Sequence, residues 1–180
     1  MADPVLRALG HPTRLRMLSL MWAGPLSAAA LAAELGISHG LASQHLRTLD
    51  RAGLVELAEV RPKRGGRERL YRTVKGSPLS DRTDASPLLT EALVGNLRQR
   101  LAMRVPESET VVTDAELWVT PEVWQDYRKR LHQLIRELHD HSQPPRTPGT
   151  TPIGATLMAF EMTPRPQEQS GTGPEVPDAY

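Results

Sequence analysis

Residues 31–55 constrain the fold more than any other part of the chain, and their sequence is LAAELGISHGLASQHLRTLDRAGLV. The alanine-rich beginning favours a short helix over residues 28–35, and Gly36 suits the left-handed position that commonly follows a helix end. Ser38 is a favourable N-cap for a second helix, which we predict over residues 39–52. Two helices joined by a turn this short form a helix-turn-helix.

The second predicted helix has two unlike faces. Leu41, His45 and Leu49 recur every four residues and are expected to pack inward. The opposite face carries small or polar residues: His39, Gly40, Ser43, Gln44 and Arg47. Serine, glutamine and arginine side chains hydrogen-bond to base edges or phosphates, and a helix of about 21 Å fits along the major groove of DNA. For such a helix considered alone, a solvated face is the simpler interpretation.

A basic hairpin is predicted directly after the two helices. Residues 55–60 and 70–74 are predicted strands, and Gly65-Gly66 between them is a turn signal. The cations of this hairpin are Arg61, Lys63, Arg64, Arg67 and Arg69. A cluster of this kind attracts the phosphate backbone or enters the minor groove. A basic loop alone is usually only solvated, but its position after a helix-turn-helix favours contact with DNA.

Residues 4–76 resemble the winged helix-turn-helix of the ArsR family of bacterial repressors. The resemblance rests on LRALGHPTRLRML, LAAELGIS, ASQHLRTLDRAGLVE and a wing ending in GRERLYRTV, which occur in the family's order. It implies base or phosphate contacts for Ser38, His39, Gly40, Ser43 and Gln44, and a place in the wing for Arg67. Together with the residue pattern, it predicts a DNA-binding site formed by Ser38, His39, Gly40, Ser43, Gln44, Arg47, Lys63, Arg64 and Arg67. His45 matches the family's Ser-x-His-Leu pattern, and its inward side favours a packing or hydrogen-bonding role.

The resemblance also implies a homodimer, in which the first helix and the helix after the wing pair across a two-fold axis. We predict the latter helix over residues 87–103, because leucines recur there about every four residues. The predicted dimer-interface residues are Leu6, Leu9, Leu89, Leu93 and Leu97. A homodimer would hold two recognition helices about 34 Å apart, one turn of DNA, which predicts an inverted-repeat operator.

The sequence does not indicate a metal or cofactor. Metal-sensing ArsR members carry a Cys-x-Cys pair where this chain has Ser27-Ala28-Ala29, and the helix after the wing lacks histidine. The chain contains no cysteine, which excludes disulfides and thiolate ligands. His132, His139 and His141 are possible zinc ligands, but a third ligand at a convincing spacing is missing, so a solvated helix end is the favoured interpretation.

Catalytic and membrane functions are also not indicated. The sequence has no Gly-rich phosphate loop, no G-x-S-x-G and no H-E-x-x-H motif, so we expect no enzyme and name no catalytic residue. It has no apolar run of about 18 residues and no signal-peptide pattern at its start. We expect a soluble, cytoplasmic protein that does not bind membranes.

Charge divides the chain into two unlike parts. Residues 1–76 contain 12 basic and 6 acidic side chains, a net of +6, whereas residues 77–180 contain 10 basic and 15 acidic side chains, a net of −5. The basic part attracts phosphate, and the acidic part is better suited to protein contacts or an effector.

We predict a mainly α fold with a small β component. The expected parts are a winged helix-turn-helix DNA-binding domain (1–76), a linker and dimerisation helix (77–104), a C-terminal strand-helix-strand module (105–163) and a disordered tail (164–180).

Within the module, alternating apolar residues predict a strand over residues 110–119 and a second over residues 153–162. The helix between them has a heptad pattern formed by Trp124, Tyr127, Leu131, Leu134 and Leu138. The two strands either form a β-α-β unit or the last one crosses to the other subunit. Trp118, Trp124 and Tyr127 are either a possible pocket for a lipophilic effector or simply the core of this module.

These patterns favour a sequence-specific transcriptional regulator that binds double-stranded DNA. We expect a homodimeric repressor on an inverted repeat, released by an unknown small-molecule effector. The alternative is a winged-helix protein-interaction module that acts through its acidic C-terminal half.

Overall fold

The computed structural model describes residues 3–63, 66–74 and 87–163. Its described part contains six helices and one three-stranded antiparallel sheet, which confirms the predicted α+β class. In chain order the elements are α1 (Pro4–Leu9), α2 (Pro12–Leu20), β1 (Leu26–Ser27), α3 (Ala28–Leu35), α4 (His39–Arg51), β2 (Val55–Lys63), β3 (Gly66–Thr73), α5 (Pro87–Leu101) and α6 (Pro121–Asp140). The predicted linker, the whole of the predicted tail (164–180) and Arg64 lie outside the described residues.

Local side-chain caps set the starts of the helices. The Ser27 hydroxyl accepts a hydrogen bond from the Ala30 amide at 3.2 Å, and the Ser38 hydroxyl accepts one from the Leu41 amide at 3.2 Å. Gly36 has φ 66°, the left-handed conformation that a Cβ would strain. The predicted helix-turn-helix is confirmed: the first helix ends at Leu35 and the second begins at His39, as the sequence indicated.

The sheet has the order β1-β3-β2. The short strand β1, which the sequence did not reveal, pairs Leu26 with Tyr71 and ties the start of α3 to the hairpin. Strand β2 is longer than predicted, and its last pair joins Lys63 to Gly66. Residues 64–65, which include the first glycine of the predicted Gly-Gly turn, lie outside the described residues.

The core lies where the first four helices meet the sheet and α5. Its largest fully buried side chains include Leu9, Met17, Leu18, Leu31, Leu49 and Leu54. Burying a leucine contributes about 1.5 to 3 kcal/mol, so this cluster is what fixes the orientation of α4. Helix α4 keeps its inner face in the core through Ala42, His45, Leu46 and Leu49.

Two of the leucines predicted for a dimer interface belong to this core. Leu9 and Leu89 are buried within one chain, because α5 packs against α1 and α2 of the same chain. They are therefore not surface residues available to a partner, and that part of the prediction is wrong. Leu6 and Leu93 are partly buried, and Leu97 is exposed on α5.

The predicted C-terminal strands do not form in the described chain. Helix α6 is present, but residues 110–119 and 153–162 contain neither helix nor strand. An alternating pattern records which side chains share a face, whereas a strand also needs a neighbour for its backbone N–H and C=O groups. The described part of this chain does not supply that neighbour, so the strand-helix-strand module is wrong for a single chain.

Candidate nucleic-acid interface

Helix α4 presents the predicted polar face to solvent. Ser38, His39, Gly40, Gln44 and Arg47 are exposed, and Ser43 is partly buried. A Cβ built on Gly40 meets no atom within 4 Å, so the first turn of α4 is open to a large ligand. Leu41, which was predicted to point inward, is instead exposed, and Ala42 takes its place in the core.

The inner face of α4 carries a buried histidine, His45, which lies against the partly buried His11. The His45 ring lies 4.7 Å from the His11 ring, measured between centroids, and the planes are tilted by 53°. Burial lowers the pKa of His45, and the charges of His11 and Arg14 lower it further. Burial and then Arg14 lower the pKa of His11. Burial thus disfavours the charged form of both rings, and the buried position of His45 agrees with the inward packing role predicted for it.

His11 and Arg14 also form hydrogen bonds that stabilise the junction between α1 and α2. Nδ1 of His11 accepts a hydrogen bond from the Thr13 amide at 3.2 Å and so caps α2. The Arg14 guanidinium donates to the carbonyl oxygens of Ala8 at 2.6 Å and Arg7 at 2.7 Å, which satisfies the end of α1. Sequence reasoning missed both residues; the available signal was a histidine directly before a helix-initiating proline.

The basic hairpin formed by β2 and β3, here called the wing, holds three of its described cations in ion pairs: Arg61, Lys63 and Arg72, which contacts Glu56. Arg61 contacts Glu59 at 2.8 Å, through both Nε and Nη2, and Lys63 contacts Glu68 at 3.2 Å. Within the described residues, neither Arg67 nor Arg69 has a carboxylate within 4.0 Å. The wing's uncompensated positive charge therefore lies on β3.

A cleft of about 420 Å³ joins the polar face of α4 to the wing. Its lining residues are Ser27, Ala28, Ala29, His39, Ser43, Leu46, Arg47, Lys63, Arg67, Glu68, Arg69 and Tyr71. The structure thus brings together five of the predicted DNA-contacting residues: His39, Ser43, Arg47, Lys63 and Arg67. Of the others, Ser38, Gly40 and Gln44 do not line the cleft but lie on the exposed side or at the start of α4.

One acidic side chain, missed in the sequence, lies in this cleft. The Ser27 hydroxyl hydrogen-bonds to the Glu68 carboxylate, and this contact together with Lys63 lowers the pKa of Glu68. The carboxylate is therefore ionised and compensates one cation that would otherwise face a phosphate. No local pattern identified it, because its partners come from β2 and from the cap of α3.

The residues of the possible effector pocket are not enclosed by the chain. Trp118 is 85% exposed and Tyr127 is 53% exposed, with the Arg130 guanidinium 5.0 Å from the Tyr127 ring centroid. The indole N–H of Trp124 donates to Glu161 at 2.9 Å. Among the described residues of one chain, these side chains therefore line neither an enclosed pocket nor a compact core.

The late histidines of α6 are engaged with the backbone. Nδ1 of His139 donates to the Ile135 carbonyl at 2.7 Å, and Nδ1 of His141 donates to the Glu137 carbonyl at 2.7 Å. The His139 ring also lies 4.8 Å from Trp22, between centroids. Among the described residues, no three potential ligands are close enough to hold a metal ion. No described helix is both long and apolar enough to cross a membrane.

Residues 9–58 match a family model described as a helix-turn-helix domain. This match covers α2, β1, α3, α4 and the beginning of the wing. Comparison with curated proteins gave no match.

Three solved structures are similar to this chain over 56% to 61% of its length. Reduced HlyU from Vibrio cholerae is 24% identical with a TM-score of 0.33, over 56% of this chain and 87% of HlyU. The transcriptional repressor BigR from Xylella fastidiosa is 22% identical with a TM-score of 0.34, over 59% and 86%. A homodimeric winged helix-turn-helix DNA-binding domain from Mycobacterium bovis, described as a possible ArsR-family regulator, is 24% identical with a TM-score of 0.33, over 61% and 85%. At these scores the similarity carries no conclusion about function.

Proposed function

We propose that the chain is a sequence-specific DNA-binding transcriptional regulator, because residues 4–76 resemble the ArsR-type winged helix-turn-helix and residues 9–58 match a helix-turn-helix domain. In this proposal it acts as a homodimeric repressor on an inverted repeat and is released by an effector. The observation that carries the proposal is the cleft between α4 and the wing. It combines an exposed polar helix face with cations that have no carboxylate partner in the described chain.

Base recognition is assigned to α4. Gln44 is exposed and can pair in bidentate fashion with adenine, and Arg47, nearly one turn later, reaches a guanine or a phosphate. The exposed N-terminus of α4, which begins at Ser38, offers backbone N–H groups to a phosphate. The buried inner face holds these groups at fixed positions, so little order must be gained on binding.

Backbone contact is assigned to the wing. Arg67 and Arg69 lie on β3 with no carboxylate within 4.0 Å among the described residues, so they can neutralise phosphates without breaking an ion pair. Their contribution would be independent of sequence and sensitive to salt. The two elements therefore divide specificity and affinity between them.

Repression would follow from occupancy of a promoter by the dimer. Release requires an effector that binds better to the conformation unable to bind DNA, since a ligand with equal affinity for both states shifts nothing. The acidic residues after 76 are the favoured place for such a ligand or for protein contacts, because they are repelled by DNA.

Selection of bound fragments from the source genome tests this function. We expect a two-fold symmetric site that the protein binds at least about 1,000-fold more tightly than random duplex DNA at 0.2 M salt. Gln44→Ala should change the selected sequence, whereas the matched control Gln125→Ala, on α6, should not. Equal affinity for random DNA and for the best fragment would refute the proposal and favour the protein-interaction alternative.

A further inference from the structure

Exposed apolar side chains are concentrated in the C-terminal half of the molecule. Among the described residues, every large apolar side chain that is exposed lies within residues 88–162, apart from Leu41, Leu57 and Val60. Soluble monomers rarely expose contiguous apolar patches above a few hundred Å². This distribution marks the half of the chain beyond the wing as a contact surface.

Helix α6 shows the geometry of this surface most clearly. At about 100° per residue, Val123, Leu134 and Tyr127 fall within about 40° of one another, and all three are exposed. The adjacent edge of the same stripe, with Trp124 and Leu131, is partly buried. The chain therefore covers one edge of a continuous apolar stripe and leaves the other open, and none of the residues of α6 is fully buried.

The segments on either side of α6 also have exposed apolar side chains and backbone groups that are not paired with a strand among the described residues. In residues 111–119 and 153–162, no backbone-to-backbone hydrogen bond connects described residues. Val111 is 99% exposed and Phe160 is 65% exposed, although both segments carry the alternating apolar pattern of strands. Each segment thus has the side chains of a strand that lies in a sheet, but not the neighbouring strand.

An arginine from α5 fixes one of these segments in place. Nη1 of Arg100 donates to the Ala155 carbonyl at 2.8 Å and to the Thr156 hydroxyl at 3.1 Å. A Cβ at Gly154 would lie 3.3 Å from Cδ of Arg100, so the segment lies directly against α5. The same helix exposes Leu97 and Leu101, which places the segment beside further uncovered apolar surface.

We propose that this surface binds a second copy of the chain, with residues 110–119 and 153–162 pairing with those of the partner. The proposal deepens the proposed function, since it rests on the homodimer expected there and assigns its interface. Two strands from each copy give a four-stranded sheet, above the three strands that independent stability requires, and the two α6 stripes cover it. DNA does not suit an apolar surface as its occupant, and residues 77–180 as a whole, with 10 basic and 15 acidic side chains and a net charge of −5, do not attract it.

The available area fits a stable dimer. With about 200 Å² for a whole aromatic side chain, the exposed fractions of Trp118, Phe160 and Tyr127, which are 85%, 65% and 53%, amount to about 400 Å². A standard interface takes about 800 Å² from each partner. Three side chains thus supply half of that area, and the exposed leucines, valines and methionines supply the remainder.

Analytical ultracentrifugation of the full chain tests the interface. We expect wild-type protein to sediment as a dimer of two 19.9 kDa chains. Leu134→Glu places a carboxylate in the open edge of the stripe and should raise the dimer dissociation constant at least tenfold. Gln125→Glu, the matched control on the polar side of α6, should not. A monomeric wild type, or an unchanged dissociation constant in both Leu134→Glu and Phe160→Asp, overturns the proposal.

Hydrogen exchange tests the pairing itself. Amides in residues 111–119 and 153–162 should exchange at least tenfold more slowly in the dimer than in Leu134→Glu. A dimer in which both segments exchange at unprotected rates would show that the copies meet elsewhere. DNA binding measured on the same samples separates the two proposals. A wild-type dimer that does not bind DNA refutes only the proposed regulator function. A protein that binds DNA and whose dimer dissociation constant is unchanged by Leu134→Glu refutes only this interface.

Discussion

The ion pairs of the wing predict that its cations contribute unequally to DNA binding. Arg67 has no carboxylate within 4.0 Å among the described residues, whereas Arg61 is held by Glu59 through two contacts of 2.8 Å. Arg67 can therefore meet a phosphate directly. Arg61 must first release Glu59, which then faces the same phosphate as an unpaired negative charge.

The expected magnitude for Arg67→Gln follows from counterion release. Each phosphate contact contributes about 0.9 to the slope of log K against log salt concentration. With one contact per subunit, the variant dimer should show a slope flatter by about 1.8. At 0.1 M salt the same relation gives an affinity loss of about eightfold per contact, or about 60-fold for the dimer.

Fluorescence anisotropy with a labelled random duplex between 50 and 300 mM KCl measures this slope, and it needs no knowledge of the operator. The matched control is the double variant Glu59→Gln/Arg61→Gln, which removes both charges of the pair and leaves net charge unchanged. We expect its slope to stay within about 0.3 of wild type. Equal slopes for wild type and Arg67→Gln, or an equal change in the double variant, would refute the reasoning.

Two further predictions concern the cleft and the histidine pair. Glu68→Gln should release Lys63 for a phosphate and steepen the salt slope by up to about 0.9 per subunit, measured in the same assay. Burial lowers the pKa of His11 and of His45, so the unfolded chain binds more protons once the pH falls below about 6.5. The free energy of unfolding should therefore be highest above that pH and decrease below it. Urea titrations at pH 7.5, 6.5 and 5.5 measure this change.

Each of these two predictions has its own control. A Glu68→Gln slope equal to that of wild type would mean that Lys63 does not reach DNA even when released. His45→Leu should reduce the loss of stability between pH 7.5 and 5.5, whereas His132→Gln, an exposed change on α6, should retain it. An identical pH dependence in His45→Leu and wild type would contradict a role for the histidine pair.

The sequence by itself determined the helix-turn-helix. Ser27, Gly36 and Ser38 each act on amides or torsions within about three residues, so their effect is local and needs no tertiary partner. The same holds for the start of α6, where Thr120 caps a helix that begins with proline. The polar face of α4 followed from its helical periodicity, although Leu41, which was expected to pack inward, is exposed and Ala42 is buried instead.

Only the tertiary structure decided which of these side chains meet. The contact of His11 with His45 and that of Glu68 with Ser27 join residues far apart in sequence, and they depend on how helices and strands pack around one core. Packing also placed Leu9 and Leu89 inside a single chain rather than on a dimer surface. The segments on either side of α6 have an alternating strand pattern that can be read from the sequence. A strand nevertheless forms only when its backbone pairs with a neighbouring strand. The described residues of one chain do not provide that neighbour.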